Sequence, residues 1–111
     1  MSNINQLSLS GNLTRDPKLS ATDGGTPVLQ LNLAFNDRSR NTAGEWEESA
    51  NYIDATLFGN RANGLAQILA KGSKVFITGK LRYSSWVKDG VRNSKHEVII
   101  TEIELGPSPQ H

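Results

Sequence analysis

Apolar and polar residues alternate along most of this chain. Leu7, Leu9 and Leu13 sit among Gln6, Ser8, Ser10 and Asn12. A period of two is the pattern of a half-buried strand, because successive side chains leave opposite faces. A Gly-rich turn, SATDGGTP from Ser20 to Pro27, leads to a second such run, in which Leu29, Leu31 and Leu33 alternate with Gln30, Asn32 and Ala34. Asn36 to Ala50 is polar, holds Gly44 and reads as a long, mobile hairpin loop. NYIDATLFG supplies a third strand. The period then changes: Leu65, Ile68 and Leu69 are spaced i, i+3, i+4, which predicts a short helix from about Arg61 to Lys71 capped by Gly72. Alternation returns with Val75, Ile77 and Leu81. Asp89-Gly90 is a two-residue hairpin signal. A last strand runs from about Lys95 to Leu105, and GPSPQH reads as a frayed tail.

Three strands, a helix and two more strands predict an all-β OB-fold, a five-stranded Greek-key barrel with one short helix between strands 3 and 4. An SH3-like barrel shares the strand count but usually lacks that helix. The chain has 111 residues, enough for one core and not two. The barrel is expected over residues 1–105, with 106–111 as a short flexible tail. Without cysteine there is no disulfide and no thiolate chemistry. No apolar run approaches the ~18 residues of a membrane span, and the first residues lack the pattern of a signal peptide. The reading is therefore an intracellular protein.

Parity then sorts side chains by face. In the third strand Ile53, Ala55 and Leu57 share the core side, which leaves Tyr52, Asp54, Thr56 and Phe58 together on the other. Two aromatics on a polar face, about 20 Å apart at strand rise, offer room for several stacked bases. In GKLRYSSWVKDG the core side falls on odd positions, provided no bulge intervenes. Lys80, Arg82, Ser84, Trp86 and Lys88 then point together away from the core, and Tyr83 lies on the core side or at a rim. A tryptophan among three cations is what a single-strand binder needs, with aromatic faces for bases and a cationic track for phosphates.

Charge sharpens this picture. The net charge is only +1, yet residues 58–96 hold eight Lys and Arg, Lys74 included, against Asp89 alone. Such a concentration favours a polyanion. Arg38 and Arg40 in the long loop either clamp phosphate, the favoured reading, or keep the loop soluble. Phe35 has core parity but ends a strand and can turn outward. Trp46, between Glu45 and Glu47, is a poor neighbour for phosphate and points instead to a loop or subunit contact. His96 beside Glu97 is a structural or solvated residue. The chain shows no nucleophile elbow, phosphate loop, metal-ligand spacing or paired carboxylates, so neither an enzyme nor a cofactor is expected.

Three segments carry a family resemblance. LSLSGNLTRDP, ANYIDATLFGNRANGLAQILAKGSKVFITGKLRYSSW and EVIITEIEL resemble bacterial and phage single-stranded DNA-binding proteins (SSBs), over about residues 4–105. The resemblance implies base stacking at Tyr52, Phe58 and Trp86, the positions parity had already selected. Many members have a further Trp at the start of the loop after strand two, where this chain reads AFNDRSRN and Phe35 or Arg38 stands in. Asp54 occupies a position where members often have a neutral or basic residue, which weakens one phosphate contact. The resemblance also implies a homotetramer, and a cytoplasmic site of action at the nucleoid or on phage DNA in its host. Members typically end in an acidic, apolar tip that recruits replication and repair enzymes. GPSPQH has no such tip, so recruitment by that route is not expected.

Two functions follow. The first is sequence-independent binding and protection of single-stranded DNA in replication, recombination and repair. The alternative is an OB-fold protein-interaction module of a replication or primosome complex, which the near-zero net charge keeps open.

Overall fold

The alternating leucines are buried as their parity requires. In a computed structural model, which describes residues 3–107, Leu29, Leu31 and Leu33 are sealed in the core with Leu13, Ala55, Leu57, Val75, Ile77, Val98 and Ile100. The elements are β1 (Leu7–Leu13), β2 (Lys18–Ala21), β3 (Pro27–Arg40), β4 (Trp46–Phe58), α1 (Arg61–Ile68), β5 (Lys74–Lys88) and β6 (Val91–Leu105).

The strands run β1-β5-β6-β4-β3 by hydrogen bonding, and β1 also pairs with β3 through Asn12–Ala34 and Leu13–Leu33, which closes the ring. Among the described residues only the β4–β6 contact is parallel; the others are antiparallel. This is the expected five-stranded Greek-key OB barrel, with α1 between its third and fourth strands. β2 is an addition to the edge of β3, pairing Lys18 to Ala21 with Gln30 to Pro27. It shortens the expected turn to Thr22–Thr26, held by the Thr22 N–H bonded to the Thr26 carbonyl and the Gly25 N–H to the Thr22 carbonyl. Every β2 residue is exposed, so no alternation announced it.

The helix is shorter than its spacing suggested. It ends at Ile68, and Leu69 is already extended. Gly72, with φ of 93°, turns the chain into β5 beyond the helix and is not its cap. The buried stripe is accordingly Ala62 with Leu65 and Ala66 against the core, while Ile68 faces out. Leu69 reaches the core from the extended segment.

Two hairpins outgrow the barrel. β3 and β4 stay paired out to Arg40–Trp46, so the expected loop from Asn36 to Ala50 is mostly strand, closed by a turn in which the Asn41 N–H bonds the Glu45 carbonyl. β5 and β6 stay paired out to Lys88–Val91, closed by Asp89 (φ 53°) and Gly90 (φ 77°). Two consecutive positive φ values are those of a type I′ turn, for which Asp-Gly is a favoured pair. β1 accompanies β5 only as far as Gly79, and β4 meets β6 only at Glu97–Ile99. Beyond these limits no core remains to cover the arm. Leu81 and Val87, assigned to the core by parity, are therefore exposed, and Tyr83 stacks obliquely on His96 with ring centroids 5.1 Å apart.

Candidate nucleic-acid interface

Residues directly opposite on paired strands point to the same side of a sheet. Pairing therefore builds a face. One row runs Gln30, Thr56, Ile99, Lys80, and the next runs Asn32, Asp54, Glu97, Arg82. One step toward the arms, Tyr52 lies opposite Ala34, and Ser84 opposite Lys95. Farther out, Trp86 lies opposite Asn93 and Lys88 opposite Val91. At the other end of β4, Phe58 lies opposite Val28. A single outward face thus carries Tyr52, Phe58, Trp86, Lys80, Arg82 and Lys88.

The aromatics on it are open to solvent. Tyr52 is 73% exposed, Trp86 44% and Phe58 42%. Lys80 and Lys88 are exposed and make no ion pair among the described residues. Arg82 differs, since its Nη2 donates to the Glu97 Oε2 at 3.0 Å. Thr56, expected outside, is buried under this pair and donates its hydroxyl to the Glu97 Oε1 at 2.7 Å. Burial alone raises the Glu97 pKa. The hydrogen bonds from Thr56 and Arg82, with the charges of Lys95 and Arg82, outweigh burial and hold the carboxyl below its ordinary range. Asp54 is also countered, by the Asn32 amide at 2.7 Å and Lys95 Nζ at 3.6 Å. The centre of the face is therefore a set of paired charges, with open aromatics and open lysines around it.

Three candidates sit elsewhere. Phe35 lies opposite Asn51 on the other side of the β3–β4 ladder and is half-buried where β3 passes close to Gly11. Lys74 starts β5 twelve residues before Trp86, about 40 Å away at strand rise, and lies over the Phe76 ring at 5.6 Å. Arg38 does share the parity of Tyr52, but on the projecting arm, with its guanidinium carbon 5.2 Å from the Trp46 ring centroid.

The sequence reading makes Trp46 a loop or subunit contact and gives Glu97 no role of its own. Trp46 lies on β4 at the parity of Tyr52 and Phe58, with cations and not carboxylates over its ring. The signal was the six-residue spacing 46, 52, 58, readable only if β4 extends that far. Glu97 carried no signal until Thr56 and Arg82 were brought to it.

A closed OB barrel with exposed aromatics and unpaired lysines on one strand face is the architecture of an oligonucleotide-binding module. Comparison with known proteins agrees. The family model described as the single-strand binding protein family matches residues 4–106, and the chain belongs to that family. It is 37% identical over 107 residues to the single-stranded DNA-binding protein of Borreliella burgdorferi, covering 95% of this chain and 71% of that one. It is 35% identical to the Treponema pallidum protein of the same name, covering 95% of this chain and 59% of that one. Among solved structures, a deletion mutant of the Thermus aquaticus single-stranded DNA-binding protein superposes with a TM-score of 0.85 at 35% identity, over 94% of this chain and 51% of that one. A Plasmodium falciparum SSB in complex with ssDNA superposes with a TM-score of 0.87 over 96% of this chain and 98% of that one, and at 20% identity shows the fold. The chain spans little more than half the length of the Treponema and Thermus relatives.

Proposed function

We propose that this protein binds single-stranded DNA without sequence preference and protects it during replication, recombination and repair. The observation that carries this reading is the gathering of Tyr52, Phe58 and Trp86, all exposed, on one face with Lys80 and Lys88. Aromatic rings left in water at this density gain from being covered, and a base offers a flat apolar cover whatever its identity. Stacking contributes about 1–3 kcal/mol per base, a magnitude established for single-strand binders of this fold, SSBs among them. The lysines add a salt-dependent attraction to phosphate that carries no sequence information. A duplex hides its base faces, so the face favours a single strand. Relatives named single-stranded DNA-binding protein support the same reading.

Self-association to a homotetramer belongs to this proposal. Family membership supports it, as does Phe76, exposed on the outer surface of β5 away from the stacking residues. The site of action is the cytoplasm, at the nucleoid or on phage DNA. No helix among the described residues is long and apolar enough to cross a membrane.

Titration with oligo(dT) while following tryptophan emission tests the function. Strong quenching at sub-micromolar protein, weakened by salt and little affected by duplex competitor, is expected. Absence of quenching, or equal affinity for duplex, would overturn it.

A further inference from the structure

The β3–β4 arm ends in an aromatic flanked by two arginines, and the stacking positions considered so far leave it unused. Arg40 lies directly opposite Trp46, and Arg38 lies opposite Glu48 on the same side of the ladder. The two guanidinium carbons are 5.2 Å (Arg38) and 5.4 Å (Arg40) from the Trp46 ring centroid, within cation–π range. Arg40 is held there, because its Nε and Nη2 both donate to the Gly44 carbonyl, at 3.2 and 3.0 Å. Trp46 nevertheless remains 59% exposed. The turn is braced as well. The Asn41 side-chain carbonyl accepts from the Ala43 and Glu45 N–H groups, and its amide donates to Glu47 at 2.7 Å. The tip is thus a built feature carrying an open indole beside two cations, of which Arg40 is held by hydrogen bonds.

The two sides of this arm differ in charge. Arg38, Arg40 and Trp46 share the side of Tyr52 with one acid, Glu48, while Asp37 and Glu47 occupy the opposite side with no base. A polyanion approaching the arm is repelled from one side and drawn to the other. Its path along the favoured side leads from Tyr52 to Trp46 in six residues, about 20 Å at strand rise.

We infer that the tip of the β3–β4 arm is a further nucleotide subsite. One base of the single strand stacks on Trp46, and the adjoining phosphates lie against Arg38 and Arg40. The subsite prolongs the track beyond Phe58 and Tyr52, and it takes any base, since nothing at the tip reads a base edge. This inference rests on the proposed single-strand binding.

The chain has two tryptophans, so Trp86→Phe leaves Trp46 as the sole indole. Binding of this variant and of the natural protein to a dye-labelled oligo(dT) of about 35 nucleotides is followed by anisotropy, which does not depend on tryptophan. The emission of Trp46 is recorded in the same titration. Quenching of Trp46 in step with anisotropy is expected. Trp46→Ala in the natural background is expected to weaken binding of this oligonucleotide roughly tenfold, with unchanged melting temperature and unchanged mass by light scattering. If the natural protein binds but Trp46 emission stays constant and Trp46→Ala binds normally, the subsite is overturned and the proposed function stands. If Trp46→Ala changes the mass of the assembly, Trp46 is a subunit contact and the subsite is overturned. If the natural protein gives no anisotropy change, both fall.

Discussion

Glu97 places a carboxylate, 4% exposed, at the centre of a surface otherwise suited to phosphate. Its neighbours explain why it is tolerated. Thr56 and Arg82 donate to its two oxygens, so the charge is both buried and paired. Because its folded pKa lies below the ordinary carboxylate value, the unfolded chain binds more protons in acid, and stability rises with pH through that range. The Glu97 contribution is thus fully present above the ordinary carboxylate pKa and is lost as pH falls through the lowered value. Glu97→Gln is expected to cost about 1–3 kcal/mol near neutral pH and to flatten the loss of stability in acid. Urea midpoints at pH 7 and pH 3 check this; an equal acid loss in both proteins would count against it. Residue legibility has the same basis. Tyr52, Phe58 and Trp86 were readable because parity needs only local backbone. Glu97 was not, because its partners arrive from β4 and β5. The surroundings of Trp46 were not readable either, because Glu45 and Glu47 adjoin it in sequence, whereas Arg38 and Arg40 lie over its ring in space.

At the scale of elements, alternation exposed the strands that touch the core and was silent where strands leave it. β2 and the β3–β4 arm lack an apolar side, so nothing in their composition separates them from loops, whereas Asp89-Gly90 and the odd-numbered Leu81, Tyr83 and Val87 announced the β5–β6 arm. The helix was placed correctly but overrun, since Leu69 reaches the core from extended backbone and mimics a helical stripe. An irregularity in the β5–β6 ladder was not visible at all. Thr78 pairs with Glu102 and Gly79 with Ile100, which leaves Thr101 as an extra residue whose hydroxyl donates to the Thr78 carbonyl at 3.0 Å. The extra residue is on β6, so parity along β5 survives. Gly79 is required at this bulge. A Cβ there would collide with the Ile99 carbonyl oxygen and come within 2.9 Å of its carbon and 3.1 Å of the Ile100 Cα, all backbone atoms. Gly79→Ala is expected to destabilise by about 1–3 kcal/mol or more, since the ladder must shift. Gly64→Ala has the opposite sign. Gly64 is inside α1 with nothing within 4 Å of an added Cβ, so alanine is expected to stabilise by about 0.5–1 kcal/mol. Thermal melts of the two variants, shifted in opposite directions, check both.

At the scale of the molecule, the arms set its reach. The radius of gyration is 16.2 Å, against about 13 Å for a compact chain of this length, so the arms hold aromatics and cations well out from the barrel. Stacking and phosphate contact respond differently to salt, and this separates the roles of individual residues. Each phosphate neutralised on a single strand contributes about −0.7 to the slope of log K against log salt. Lys80 is exposed and makes no ion pair among the described residues, on the face that carries Tyr52, Phe58 and Trp86, so Lys80→Ala is expected to make the slope shallower by about 0.7 per bound chain. Trp86 contributes no charge. Trp86→Ala is expected to lower affinity roughly tenfold at every salt concentration with the slope unchanged. Lys74, as basic as Lys80 but at the far end of β5 over Phe76, is expected to leave slope and affinity alone when replaced by Ala. Salt titrations of oligo(dT) binding across the three variants measure all of this at once. If Lys74→Ala changed the slope as Lys80→Ala does, the strand would run the whole length of β5. The track would then be set by total charge and not by the face that carries Tyr52, Phe58 and Trp86.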